Sequence, residues 1–224
     1  MTRQAADQLV LADQQHCIVG VKGRGLCKPV DFGIKAEGYC TALYRGYLAE
    51  YRIEEGALLL TTLHVFTATA SPPSIMGKAP RRSDSWLGDW SYEGIGFPCG
   101  FDGSLLLGRG EPPPISAAAL VPLGCPIFPC PQNFAVVLEL TFTNGRLASV
   151  QDWSEFIRQM ARVGQDLCRS MPMPDAGGKS EGSRVAFKNL SQAIRDSWME
   201  HLDGTKVEHL LSFYENLPGD ISLG

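Results

Sequence analysis

The sequence predicts an α+β protein: an antiparallel β-roll or partly open barrel over residues 1–150, then a C-terminal helical extension of about three helices over 151–224. Three observations lead there. Residues 39–66 (YCTALYRGYLAEYRIEEGALLLTTLHVF) hold two runs rich in aromatic, apolar and β-branched side chains on either side of Glu54-Glu55-Gly56. Asn144-Gly145, the strongest short-range hairpin signal, separates two further runs. Beyond Asp152 the apolar spacing changes from two to about three and a half.

The first hairpin is the organising element. A three-residue link with Gly56 in the left-handed conformation sets Ile53 opposite Ala57. Side chains alternate between faces, so Ile53, Tyr51, Ala49, Tyr47 and Arg45 join Ala57, Leu59, Thr61, Leu63 and Val65 on the core side. Arg45 is the one charged residue of that set.

Residues 1–15 are polar and read as a short helix or a frayed end. Residues 17–21 read as a short strand, with another near 30–34. Residues 68–85 read as loop, because Pro72-Pro73 cannot donate to a sheet ladder. Trp86, Trp90, Tyr92, Phe97 and Phe101 follow among glycines, and residues 104–107 make a short strand. Seven prolines within 111–131 exclude a helix and favour an extended connection. In 134–142, Phe134, Val136, Leu138, Leu140 and Phe142 share one face, with Val137 and Glu139 on the other. Asp152 and Glu155 suit a capping box for a first helix ending near Pro172, striped by Trp153, Phe156, Ile157, Met160, Val163, Leu167 and Met171. A linker over 174–183 leads to a second helix presenting Phe187, Leu190, Ile194 and Trp198. Asp203-Gly204 stops it, and Thr205 with Glu208 opens a third, bearing Val207, Leu210, Leu211, Tyr214 and Leu217.

The run Thr41-Ala42-Leu43-Tyr44-Arg45-Gly46-Tyr47, followed by Tyr51-Arg52-Ile53, Glu55-Gly56 and Leu58-Leu59-Leu60, resembles a family of small uncharacterised bacterial proteins with the pattern T-A-L-W/Y-R-G-Y. FDGSLLLGRG (101–110) and the pair of runs over 136–150 are similar to later parts of that family. The resemblance covers about residues 39–150; the proline-rich stretch and the helices depart from it. It implies a compact β-rich fold in a bacterial, soluble setting, and no reaction.

Composition narrows the function by exclusion. The net charge is −4 over 224 residues, and 20% of them are charged. Residues 1–150 carry 12 basic and 13 acidic side chains and residues 151–224 carry 8 and 11, so neither part has the basic footprint of a nucleic-acid binder. The sequence shows neither an apolar leader nor an 18-residue apolar span. Seven scattered cysteines are odd in number, so they indicate a reduced, cytoplasmic protein with no disulfide framework.

The candidate binding residues are Tyr44, Arg45, Tyr47, Trp86 and Trp90. Arg45 between two tyrosines suits an anion clamp, since a guanidinium recognises carboxylates through two donors and stacks on rings. The plainer reading pairs it with an internal acid. The 86–101 aromatics offer anchors for a partner, or else fold back to fill the core. Cys125 and Cys130 carry a metal-like spacing that would need Cys99 or Cys27 to complete it; buried single thiols are the simpler assignment. Gly177-Gly178-Lys179-Ser180 lacks the first glycine of a phosphate loop, Met173 standing there. His201 and His209 are wrongly spaced for one helix face, and His64 reads as a solvated or hydrogen-bonded ring. No cofactor or metal is indicated. The expectation is a non-catalytic bacterial protein that binds another protein, immunity-like or regulatory in role. The rival is a small-ligand barrel with an Arg/Tyr-lined mouth. An enzyme would need Arg45, Asp89, His64 or Glu50 to converge in one cleft.

Overall fold

The computed structural model describes residues 4–38, 42–111, 130–170 and 181–213, with the side chains of 181–184 and 186–188 excepted. Nine strands and three helices appear in them. The strands are β1 (Gln8–Leu11), β2 (Gln14–Arg24), β3 (Tyr47–Glu54), β4 (Ala57–Val65), β5 (Arg81–Ser85), β6 (Gly88–Pro98), β7 (Asp102–Arg109), β8 (Val136–Thr143) and β9 (Arg146–Asp152). The helices are α1 (Ser154–Ser170), α2 (Glu181–His201) and α3 (Gly204–Leu211).

The strands run in the order β3-β1-β2-β7-β8-β9-β4, and the β3–β4 pairing joins the two ends, so a seven-stranded barrel closes. β6 and β5 extend outward from β4. The fold class is therefore the expected α+β, but the barrel is closed rather than partly open, and mixed rather than antiparallel. The parallel pair is β1 with β3, Leu9 facing Tyr51. That pairing places Gln8–Leu11 inside the sheet, a short, mostly apolar run within an otherwise polar N-terminal segment. Gln8 to Arg24 form a hairpin about Ala12-Asp13, not a helix or a frayed end. Residues 29–32, read as part of a strand, form a single 3-10 turn ended by Gly33. The loop-like stretch before Trp86 yields β5, and the aromatic run yields β6.

Three hairpins share one turn chemistry. Ala12-Asp13, Glu55-Gly56 and Asn144-Gly145 all have positive φ at both central residues, the type I′ geometry whose twist matches that of the flanking strands. The Glu55-Gly56 link is thus two residues long, not three, and Glu54 rather than Ile53 faces Ala57. A bulge then slips the ladder once more: Tyr51 faces Leu60 while Glu50 faces Thr62, leaving Thr61 over. The Thr61 hydroxyl donates to the Glu50 carbonyl at 3.0 Å and stitches this bulge. The core face of β3 is as expected, with Tyr47, Ala49, Tyr51 and Ile53. Its β4 complement is Leu58, Leu60, Leu63 and Val65, not Ala57, Leu59 and Thr61. The bulge lets both Leu60 and Leu63 point inward from positions of opposite parity.

Two apolar cores share the sheet. Leu9, Ile18, Tyr51, Leu60, Leu63, Val65, Tyr92, Phe101, Leu105, Leu107, Leu140 and Phe142 fill the barrel interior with their neighbours. Buried tyrosines keep their hydroxyls satisfied there, Tyr51 donating to the Cys27 carbonyl at 2.7 Å and Tyr92 to that of Pro73 at 2.9 Å. On the outer face, Val19, Leu106 and Val137 meet Trp153, Ile157, Met160, Leu190, Ile194, Trp198, Val207 and Leu210 from the three helices. β7 and β8 are thus buried on both faces.

The helix starts differ slightly from expectation. Asp152 ends β9, and its carboxylate accepts the Ser154 N–H at 2.8 Å, while Glu155 pairs with Arg158 instead of reaching back. For α3 the cap is Asp203, which accepts from Thr205 and Lys206 N–H. Residues 112–129, 171–180 and 214–217, with Cys125 and the Gly177–Ser180 motif among them, lie outside the described residues.

His16 supplies a pH test of the barrel. It is buried beside Leu9, with Nδ1 2.9 Å from the Gln14 carbonyl. Burial lowers its pKa from 6.5, the charge of Arg109 adds to this, and the Gln14 and Leu9 carbonyls oppose it. The folded state therefore holds the ring neutral, while the unfolded chain takes up a proton near pH 6.5. Its contribution to stability is complete above that pH and declines as the pH falls toward the lower folded value. Urea unfolding followed from neutral to mildly acid pH should show this decline, and His16→Gln should flatten it. An equal slope in the variant would assign the acid sensitivity elsewhere.

Candidate functional site

The site expected at the start of the first hairpin is built by a tight turn and a returning N-terminal segment. Gly46 N–H donates to the Leu43 carbonyl at 3.0 Å, closing a turn over Leu43-Tyr44-Arg45-Gly46. Gly46 has φ 71°, and a Cβ there would run into the Glu37 backbone, so the glycine after Arg45 is required twice over. The N-terminal segment is tied alongside: Ala5 N–H donates to the Ala42 carbonyl at 2.7 Å, and Tyr44 N–H to the Gln4 side chain at 2.9 Å.

This brings Asp7 under Arg45. The two guanidinium nitrogens donate to the two carboxylate oxygens at 2.8 and 3.0 Å, and Ala49 N–H donates to the same carboxylate at 2.9 Å. The guanidinium also lies 4.7 Å from the centre of the Tyr47 ring. Burial alone would lower the Arg45 pKa; the charge and hydrogen bonds of Asp7 outweigh it, so the pKa is raised. Burial likewise raises that of Tyr47, against the pull of Arg45. Arg45 is thus already met by an internal acid in the fork geometry that an anionic ligand would use.

The five candidates divide. Arg45 and Tyr47 belong to this internal cluster. Trp90, opposite Val65 on β4 and Arg82 on β5, packs into the barrel core with the Arg82 guanidinium 4.2 Å from its ring. Tyr44 and Trp86 stay in water, 65% and 61% exposed. Each stands next in the chain to a member of one small apolar cluster outside the barrel. There Leu43, Leu48 and Phe66 are buried, with Ala5 and Leu87 packed against them. Tyr44 and Trp86 thus each flank, along the chain, a residue of that cluster.

Two other sets of residues are placed by register and by core. Glu50, His64 and Asp89 alternate with the inward residues of β3, β4 and β6 and so take the outward face, and among the described residues no hydrogen bond or ion pair joins any two of them or Arg45. Cys130 belongs to the helix-side core, whereas Cys27 and Cys99 belong to the barrel interior, so they do not share one coordination sphere.

One polar cluster has no counterpart in the expected sites. Glu139, buried on the outer face of β8, accepts from the Trp153 indole N–H at 2.9 Å and lies 2.7 Å from Nε2 of His209 on α3. A carboxylate only accepts, so Nε2 carries the proton. The imidazole stacks on Trp153 at 5.5 Å, with Phe213 edge-on. This arrangement clasps α3 to the barrel. The lone acid within the apolar run of β8 was the available signal for it; nothing in the sequence pairs that acid with position 209.

No helix among the described residues is long and apolar enough to cross a membrane. Comparison of the chain with protein-family models, with curated proteins and with solved structures finds no match. The likeness of residues 39–150 to the T-A-L-W/Y-R-G-Y proteins accordingly rests on the motif alone.

Proposed function

We propose that the chain acts without catalysis, by binding another protein through the exposed rings of Tyr44 and Trp86. The supporting observation is the exposure of two large aromatics beside a satellite apolar cluster, while the other candidates are engaged internally. Aromatic side chains anchored on a firm base are the groups that dominate protein association. An immunity-like or regulatory task is the finer form of this reading, consistent with the modest size and mild acidity of the chain.

The test is affinity capture with immobilised protein, followed by titration of the partner against the wild type and Tyr44→Ala/Trp86→Ala. The double variant should lose roughly three orders of magnitude in affinity, as anchors worth about 2 kcal/mol each imply. Its melting temperature should stay close to that of the wild type, because exposed substitutions cost little. Unchanged affinity in the double variant would remove these two rings from the binding surface.

The small-ligand reading has one observation on its side. The indole N–H of Trp90 and Nδ1 of His64 are buried without a protein partner. Against it, Arg45 is neutralised by Asp7 and apolar side chains occupy the barrel axis.

A further inference from the structure

Cys27 and Cys99 stand opposite one another although 71 residues separate them in the chain. The β2–β7 ladder pairs Gly23 with Gly103 and Arg24 with Asp102. Continued in the same antiparallel register, it sets Cys27 across from Cys99. The backbones do stay together past the last ladder pair: a Cβ on Gly25 would collide with the Gly100 carbonyl and lie 3.4 Å from the Phe101 Cα. Both thiols lie in the same interior core of the barrel, at 5% and 2% exposure, and the Cys99 thiol points toward the Phe97 carbonyl at 3.9 Å. Both backbones are held, the Cys27 carbonyl by the Tyr51 hydroxyl at 2.7 Å and the Cys99 N–H by the Leu58 carbonyl at 2.8 Å.

We propose that Cys27 and Cys99 are a disulfide-forming pair that locks the β2 end of the barrel to the β6–β7 connection. Directly opposed residues of an antiparallel pair have Cα atoms about 4.5–5.5 Å apart, inside the span of about 4.4–6.8 Å that a disulfide bridges. The chemistry needs a two-electron oxidant such as a peroxide. One sulfur of the pair, as its thiolate, displaces hydroxide from hydrogen peroxide, giving a sulfenic acid. The partner sulfur then attacks that sulfur as the S–O bond breaks. The two departing hydroxides take up the two thiol protons as water, so two thiols and one peroxide give one disulfide and two waters.

The experiment uses the full chain, reduced and then treated in its native state with hydrogen peroxide, and in parallel with diamide. Free thiols are blocked on denaturation and the digest is mapped by mass. The expected result is a peptide joining Cys27 to Cys99 that has lost two hydrogen atoms, reverts with dithiothreitol, and accompanies a rise of several degrees in melting temperature. That rise should persist in Cys17→Ala and vanish in Cys99→Ala. Recovery of both cysteines as blocked thiols, or joining of either to a different cysteine, would overturn the pairing. The mapping needs only wild-type protein, so a folding defect in a variant does not affect it.

Discussion

Replacing Arg45 with alanine should cost the fold about 3 kcal/mol, the low end of the roughly 3–5 kcal/mol lost when one member of a buried ion pair is removed. Its partner fixes the sign. The Asp7 side chain is 8% exposed and would keep only the Ala49 N–H as donor. The Arg45 side chain is 35% exposed, so the pair is not fully desolvated and the penalty stays at the low end. Asp7→Ala should cost less, about 2 kcal/mol, because the arginine can turn to solvent while the Ala49 N–H is left unpaired. Arg45→Lys keeps the charge but loses the two-pronged geometry and should fall between wild type and alanine. Urea unfolding of both single variants and the double variant gives the coupling energy directly. If Arg45→Ala lies within about 0.5 kcal/mol of wild type, the range of ordinary surface changes, the pair is peripheral to the fold. A ligand clamp would then regain ground.

The second large effect lies on the opposite face of the sheet. Trp198, on α2, is fully buried in the core shared by the helices and the outer face of the barrel, and its indole N–H donates to the Met160 carbonyl of α1 at 2.7 Å. Trp198→Ala should cost about 3–5 kcal/mol, the price of a large aromatic cavity. Trp198→Phe keeps most of the volume and should cost about 1–2 kcal/mol, near the worth of the lost hydrogen bond and some packing. Hydrogen exchange should locate the damage: amides of α1–α3 lose protection first, while those of β3 and β4 retain theirs. Equal loss in both regions would mean that the two cores unfold as one unit.

Much of this architecture was legible in local chemistry. Asn144-Gly145 and Glu55-Gly56 are turn signals whose backbone demand follows from residue type, and both hairpins form where they stand. Leu190, Ile194 and Trp198 fall on one helix face by spacing alone and are buried together. The failures share a cause. β1 is only four residues long and lies within a largely polar segment, and it is held by strands whose sequences say nothing about it. The Thr61 bulge exchanges which β4 side chains point inward, and alternation cannot signal an extra residue. Of the binding candidates, the exposure of Tyr44 and Trp86 and the internal engagement of Arg45 and Trp90 are set by neighbours distant in the chain.

By itself, then, the sequence determined what depends on residues within a turn or two of one another: hairpin tips, helix stripes, and the order of β structure before helices. The tertiary structure alone decided what depends on closure. Joining β3 to both β1 and β4 carries Asp7 to Arg45, the β2–β7 register places Cys27 and Cys99 in one interior core, and the outer face is where Glu139 meets His209. Each of these pairs is separated by tens of residues, so its geometry follows from ladder register and packing, which no local pattern encodes.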